Sequence, residues 1–234
     1  MSENLVQLTV ADRLGRLVIN RPEAANAFTG DMLGDVTAAL NRAATEADIL
    51  VISSAGEDFT LGRDRKDTPR PPFDAFTLVT DFNTALSGFP GILITEVQGR
   101  AYGLGVGIVM RSDMAIAASD ARFALDEIKL GIAPMFIMAE ILEHLSPKAA
   151  LDIMLTSRDF TADEAREMGV VSRVVPADKL KASVEELVAE LKSRDPGVLK
   201  ASKRYLQTVK RVPPEGRASF ALAEQTRFIL AKHK

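Results

Sequence analysis

Glycine spacing in one apolar stretch constrains the fold of this chain more than any other feature. Residues 92–113 read ILITEVQGRAYGLGVGIVMRSD, in which an apolar run leads through Gly99, Gly103, Gly105 and Gly107 into a second apolar run. Glycines at every second position let a backbone pass close to a ligand and turn sharply into a helix. The first turn of that helix has unpaired N–H groups and a partial positive charge, which suit an anion or a developing oxyanion. Close packing of a helix against a sheet explains the spacing equally well.

Composition and charge restrict the class of protein. With 234 residues, the chain can bury one substantial core with a helical annex. A net charge of -3 argues against a nucleic-acid partner, because nucleic-acid-binding proteins normally have a basic excess. No run of 18 apolar residues suggests a membrane partner, and the N-terminus does not resemble a signal peptide. The absence of cysteine fits a cytoplasmic location. We therefore expect a cytoplasmic protein.

A metal site is not expected from the sequence. Cysteine ligands are absent, and the two histidines, His144 and His233, have no suitably spaced Cys or carboxylate partners. The same glycines also fail as a dinucleotide fingerprint, because Ile108 stands at the sixth position of the G-x-G-x-x-G pattern. A nucleotide-dependent oxidoreductase is therefore disfavoured.

Hydrophobic periodicity predicts an α/β core followed by helices. Strands are predicted at 5–10, 16–20, 49–53, 92–97, 113–118, 122–124 and 170–175. Helices are predicted at 31–46, 73–86, 134–145, 147–156, 161–168, 178–193, 197–209 and 214–231. The succession of strand, helix and strand predicts parallel crossovers. We expect a core over residues 1–175 and an α-helical oligomerisation segment over residues 176–234.

Two loops that follow buried strands contain glycine, and they lie at residues 59–64 and 103–105. In a parallel α/β arrangement both loops lie at the carboxyl ends of strands, where such sheets bind ligands. Backbone N–H groups that converge from two loops form an oxyanion hole, which stabilises an enolate or a tetrahedral intermediate.

Motifs along nearly the whole chain resemble the crotonase (enoyl-CoA hydratase/isomerase) superfamily. The matching segments are NRPE at 20–23 with Asn26-Ala27, FTLGRD at 59–64, QGRAYGLGVGIVMRSD at 98–113, Phe123, EIKLG at 127–131 with Pro134, Leu155-Thr156, Ala165 and GVV at 169–171. The resemblance implies a (ββα) spiral core with an α-helical C-terminal segment that lacks the final helix of longer members. It also implies an acyl-CoA substrate, no cofactor apart from the coenzyme A of that substrate, and a homotrimer or homohexamer.

The resemblance also implies roles for individual residues. The backbone N–H groups of Arg63 and Leu104 would hold the thioester oxygen. Most relatives have glycine where Leu104 stands, but the donor is a backbone group. The substrate would be bound by five residues, which are Leu61, Gly62, Gly103, Met135 and Phe136.

Hydratases of this family use two glutamates, and only one is present here. The first would stand at Gly107, and the second is Glu127, the expected catalytic acid and base. Burial would raise the pKa of Glu127 towards the working pH. Glu140 is a second-rank catalytic candidate, and Asp126 is expected to point away from the site because its segment is interpreted as extended.

Several functions fit these residues. A single glutamate favours an isomerase-like double-bond shift, whereas hydration is the commoner activity in the family. A hydrolase acting on a thioester or C–C bond also fits, and so does an acyl-CoA-binding member without catalysis. Arg63 and Arg65 either contact the phosphates of coenzyme A or belong to a solvated charge cluster. The alternative interpretation of Glu127 is a surface glutamate in a loop, and the catalytic role is favoured over it.

Overall fold

A computed structural model describes residues 5–232, except for the side chains of Glu140 and Lys232. The strands are β1 (Val6–Ala11), β2 (Leu14–Ile19), β3 (Ile49–Ser54), β4 (Ile92–Val97), β5 (Arg100–Tyr102), β6 (Met114–Ala118), β7 (Arg122–Ala124), β8 (Phe160–Thr161) and β9 (Arg173–Val175). The helices are α1 (Gly30–Glu46), α2 (Pro72–Ser87), α3 (Leu104–Arg111), α4 (Met135–Ile141), α5 (Pro147–Thr156), α6 (Ala162–Glu167), α7 (Leu180–Lys192), α8 (Pro196–Val209) and α9 (Arg217–Lys232). Short 3-10 turns lie at Pro22–Ala24, Glu127–Leu130, Ala177–Lys179 and Pro214–Gly216.

The main sheet has six strands in the order β1-β2-β3-β4-β6-β9. Strands β1 and β2 form an antiparallel hairpin, and every later neighbour in this sheet pairs in parallel. The first four residues of both β3 and β4 are buried, as expected for parallel strands that are covered on both faces. The predicted parallel crossovers are therefore confirmed.

Helix α1 shows how the sequence positions a helix on this sheet. The Thr29 hydroxyl accepts a hydrogen bond of 3.2 Å from the Met32 N–H and so caps the helix. Met32, Leu33, Val36 and Leu40 repeat at helical spacing and are all buried. The buried face therefore points towards the hydrophobic core, where α1 also packs against α2.

A second sheet contains two strands that the sequence did not indicate. Its order is β5-β7-β8, with β5 parallel to β7 and β7 antiparallel to β8. Strand β5 lies between Gly99 and Gly103, in a segment interpreted as a turn, and β8 has only two residues. This small sheet holds the glycine segment beside the strand that leads to Glu127.

Helices predominate after residue 176, as predicted, although the structure does not test the division into two units. The helix predicted at 134–145 ends at Ile141, and the one predicted at 178–193 begins as a 3-10 turn before α7. Among the described helices, none combines the length and the apolar content that crossing a membrane requires.

Candidate functional site

Three segments run side by side and end at the same edge. Thr60 pairs in parallel with Ala101 of β5, with hydrogen bonds from Thr60 N to Arg100 O (3.0 Å) and from Tyr102 N to Thr60 O (2.9 Å). Strand β5 pairs in parallel with β7, and Gly103 N donates to Ala124 O at 2.8 Å. Because parallel strands share their carboxyl ends, three dipeptides meet at this edge, which are Gly62-Arg63, Gly103-Leu104 and Asp126-Glu127.

Gly62 allows the first two loops to touch through their backbones. Its φ is +82°, and an added β-carbon would lie 2.9 Å from Tyr102 O and 3.3 Å from Leu104 N. Side chains cannot be accommodated at such distances from backbone atoms, and L residues rarely adopt this φ. The Gly62 N–H donates to the Thr60 hydroxyl at 3.0 Å, which fixes the orientation of the loop. The glycine therefore brings the Arg63 segment to the start of α3.

The two backbone N–H groups expected to bind an oxyanion are both available. Phe28 pairs in parallel with Arg63 through hydrogen bonds to the flanking residues Gly62 and Asp64, so the Arg63 N–H points away from Phe28. Leu104 is the first residue of α3, where N–H groups have no partner within the helix. Within the part of the chain that the structure describes, neither N–H donates a hydrogen bond.

Glu127 lies beside Gly103, the residue before Leu104. It begins a 3-10 turn, and its Oε1 is 3.1 Å from the position that a β-carbon on Gly103 would occupy. Its Oε2 is buried and has no hydrogen-bond partner among the described residues. Burial raises the pKa of Glu127, a hydrogen bond from its own backbone N–H partly opposes this, and the charge of Asp126 raises the pKa further. The interpretation of Glu127 as a solvated surface residue is therefore wrong.

The expectation that Asp126 points away from the site is also wrong. Its φ of -97° and ψ of 5° are not those of extended backbone, so alternation along a strand does not apply. Its Oδ1 is 3.5 Å from the same β-carbon position at Gly103. Arg65 donates a hydrogen bond to its other oxygen. Asp126 therefore faces the site as a paired carboxylate.

Arg111 is a residue near the site that the sequence analysis missed. Gly107 is buried on α3, and Arg111 Nη1 donates to its carbonyl oxygen at 3.0 Å. A β-carbon on Gly107 would lie 3.0 Å from the same Nη1 and 3.4 Å from Ile137 Cδ1. The spacing of four residues, which places side chains on one helix face, was the available signal. A guanidinium thus stands where the family resemblance places a carboxylate.

The remaining predicted site residues have more varied surroundings. Leu61 is half-buried, and its N–H donates to Ala25 O at 3.1 Å. Met135 is 71% exposed and Phe136 is 39% exposed on α4. The ring of Phe136 lies 5.4 Å from that of Phe76 on α2, which links the two helices. Glu140 is also on α4, but its side chain lies outside the described part of the structure.

Asp64 makes hydrogen bonds within and beyond the loop that contains Arg63. Asp64 accepts hydrogen bonds from Arg21 (2.6 Å) and from Lys66 N (2.8 Å), as a residue that orders a loop does.

Among residues 5–232, the structure brings no three His, Asp or Glu side chains together as metal ligands. His233 lies outside these residues.

Comparisons with known proteins show which family the chain resembles. The "Probable enoyl-CoA hydratase echA8" of Mycobacterium tuberculosis is 37% identical over 175 residues, covering 72% of this chain and 67% of the relative. The solved enoyl-CoA hydratase of Mycobacterium smegmatis matches with a TM-score of 0.89 and 26% identity, covering 96% of this chain and 90% of its own.

A second solved structure carries a ligand. A Thermobifida fusca protein, described as a putative enoyl-CoA hydratase and solved in complex with CoA, matches with a TM-score of 0.89 and 25% identity. The match covers 97% of this chain and 95% of the other. These structures confirm the predicted fold class. The family model for enoyl-CoA hydratase/isomerase matches residues 11–226. The chain therefore belongs to the enoyl-CoA hydratase/isomerase family, within the crotonase superfamily.

Proposed function

We propose that this protein acts on an acyl-CoA thioester through an enolate, with Glu127 as its single acid and base. Membership of the family supports an acyl-CoA substrate, and so does the similar structure solved with CoA. One observation carries the proposal. The half-buried Glu127, whose Oε2 is buried and unbonded among the described residues, lies against Gly103, the residue that immediately precedes Leu104.

The proposed reaction is a double-bond shift that needs no co-reactant. The Glu127 carboxylate removes a proton from the acyl chain, and the electron pair of the broken C–H bond moves onto the thioester oxygen. The N–H groups of Arg63 and Leu104 stabilise that oxyanion. Glu127 then returns the proton to a different carbon, which moves the double bond. A raised pKa suits both steps, because the same carboxyl group must accept and donate within one cycle.

Hydration is the second candidate, and the names of the similar proteins favour it. Hydration requires a water molecule held in position to attack the double bond. Gly107 supplies no second carboxylate for that water, and Arg111 Nη1 lies 3.0 Å from where its β-carbon would be. We therefore rank isomerisation above hydration.

Incubation with 2-enoyl-CoA and with 3-enoyl-CoA tests the proposal. The wild-type protein should interconvert the two thioesters, and Glu127→Gln should lower kcat by about 10²–10⁴-fold, the usual contribution of a general acid–base group. Asp126→Asn is the matched control, since it neutralises the adjacent carboxylate. It should keep activity within about tenfold and extend activity to lower pH, because Asp126 raises the pKa of Glu127.

Each other result identifies a different function. A 3-hydroxyacyl product from 2-enoyl-CoA would favour hydration, and release of free CoA would favour the hydrolase. Binding of both thioesters without turnover, measured by calorimetry, would indicate a member without catalysis. Full activity in Glu127→Gln would contradict the assigned role.

We also propose that the protein forms a homotrimer or homohexamer through its C-terminal helices. Three apolar side chains there are largely exposed, namely Leu206 (70%), Leu222 (72%) and Leu230 (62%). A cleft of about 500 Å³ lies between α8 and α9. Apolar surface of this kind is commonly covered by another subunit. Analytical ultracentrifugation should give three or six times the chain mass of 25.3 kDa, whereas a monomer would contradict the proposal.

A further inference from the structure

The guanidinium of Arg63 lacks a full set of partners. Its side chain is 34% exposed, so most of it is removed from water. Its Nε is buried and has no hydrogen-bond partner within the described part of the chain. The nearest carboxylate oxygen, Asp67 Oδ2, is 3.8 Å from Nη2, which is too far for a hydrogen bond. Such a half-buried cation is costly unless an anion pairs with it.

Asp67 is already engaged by other donors. Its Oδ2 accepts hydrogen bonds from Gly30 N (2.7 Å) and from Arg70 Nη1 (3.0 Å). The Arg70 guanidinium also repels that of Arg63. Burial lowers the pKa of Arg63, Asp67 opposes this effect, and Arg70 adds to it. The loop therefore holds more positive charge at Arg63 than its own carboxylates neutralise.

Glu127 does not supply the missing charge. Among the described residues, the carboxylate within ion-pair distance of Arg63 is that of Asp67, and both Arg63 Nε and Glu127 Oε2 lack a hydrogen-bond partner. Asp126 pairs with Arg65, and Asp64 pairs with Arg21. None of the carboxylates of Glu127, Asp126 and Asp64 therefore pairs with the Arg63 guanidinium.

The position of Arg63 points to the acyl part of the substrate. In the proposed function, the backbone N–H of Arg63 binds the thioester oxygen. The guanidinium is attached to the same Cα, so it reaches groups a few bonds from the thioester carbon. The phosphates of coenzyme A lie at the far end of the pantetheine arm, many bonds further away.

We propose that Arg63 binds a carboxylate carried by the acyl group, so that the substrate is a CoA thioester of a dicarboxylic acid. This inference rests on the proposed function. Arginine suits the task because its planar guanidinium donates two parallel hydrogen bonds to a carboxylate. A neutral acyl group would leave the buried Nε unpaired, which provides discrimination against it.

Calorimetry with paired ligands tests this inference without requiring turnover. The ligands are glutaryl-CoA and pentanoyl-CoA, which have the same number of acyl carbons and differ in the terminal carboxylate. The wild-type protein should bind glutaryl-CoA at least about tenfold more tightly, as expected for a charge-assisted hydrogen bond. Arg63→Gln keeps the backbone N–H and should abolish the preference. Arg42→Gln, which removes an exposed arginine paired with Glu46 on α1, should retain it.

The other outcomes each overturn a different claim. Equal binding of the two ligands by the wild-type protein, or a preference that survives in Arg63→Gln, would contradict the inference. Equal weakening of both ligands in Arg63→Gln would assign the guanidinium to a phosphate of coenzyme A instead. Failure of the wild-type protein to bind any acyl-CoA would overturn the proposed function itself.

Discussion

Glu127 occupies the space in front of Gly103, with Oε1 of the glutamate 3.1 Å from the position that a β-carbon on the glycine would take. This arrangement places the Glu127 carboxylate next to the segment that carries the N–H group of Leu104. Gly103 is the residue before α3, so it orients the N–H of Leu104, and Glu127 is the expected base. A side chain at position 103 would therefore crowd the carboxylate and, because φ is +49°, strain the backbone that leads to the N–H group of Leu104.

Gly103→Ala should lower kcat/KM at least about 100-fold, comparable to the loss of one oxyanion-hole donor. The added methyl group would press on Glu127, and alanine would also be strained at a φ of +49° and ψ of -111°. Gly131→Ala is the matched control, because its φ is +71° and no atom lies within 4 Å of the added β-carbon. Steady-state kinetics and thermal melts of both variants check this. Equal loss of activity in the two variants would indicate backbone strain alone.

Gly107→Glu should not create an efficient hydratase. The new carboxylate would meet Arg111 Nη1, which lies 3.0 Å from the β-carbon position, and an ion pair would lower the pKa of that carboxylate. Hydration of 2-enoyl-CoA should therefore rise by less than about tenfold, below the 10²–10⁴-fold that a well-placed base contributes. Gly34→Glu, where the added β-carbon has no neighbour within 4 Å, controls for the new charge. An increase of about 100-fold in Gly107→Glu would show that Arg111 does not disable the acid.

Glu127→Gln should stabilise the protein at neutral pH. The folded-state pKa of Glu127 is raised, so the folded state binds more protons than the unfolded state between the two pKa values. The free energy of unfolding therefore decreases as pH rises through this window. Glutamine does not titrate, so the variant does not undergo this decrease in stability. The melting temperature of Glu127→Gln should exceed that of the wild-type protein at pH 8, and the difference should diminish below about pH 4, near the unfolded-state pKa. A lower melting temperature for Glu127→Gln at pH 8 would contradict the raised pKa.

Lys203→Met should destabilise the fold strongly. Lys203 Nζ donates to Phe89 O and Gly91 O, each at 2.8 Å, and to Asp113 Oδ2 at 2.6 Å, with 10% of its side chain exposed. Burial already raises the pKa of Asp113, and Lys203 opposes that effect. Removing the cation leaves two carbonyl groups and the Asp113 carboxylate, whose side chain is 20% exposed, without this donor, and should lower the free energy of unfolding by about 3 kcal/mol.

Lys210→Met is the control for this change. Lys210 pairs with Glu143, and both side chains are about half exposed, so the free energy of unfolding should change by less than about 1 kcal/mol. Urea denaturation of the two variants measures the difference. Equal effects in the two variants would mean that Lys203 does not anchor α8 to the sheet.

Local patterning was sufficient to predict most of the fold. The apolar runs of β3 and β4 and the helical spacing of α1 are consequences of burial, which the sequence records directly. The glycine segment and the motifs around it indicated the family, and both the family model and the similar structures confirmed this. Strand β5 was not predicted, because the glycines on both sides of its three residues favour a turn over a strand.

The candidate site required the tertiary structure, because its residues come from three separate segments. The sequence identified Glu127 and the absence of an acid at Gly107, but it predicted the wrong orientation for Asp126 and missed Arg111. Orientation depends on backbone dihedral angles at a turn, and the surroundings of Arg63 depend on which carboxylates are already paired. The sequence by itself determined which apolar segments are buried and which family the chain belongs to. Only the parallel pairing of the Thr60 segment with β5, and of β5 with β7, decided that an N–H group, a glycine and a carboxylate meet at one edge.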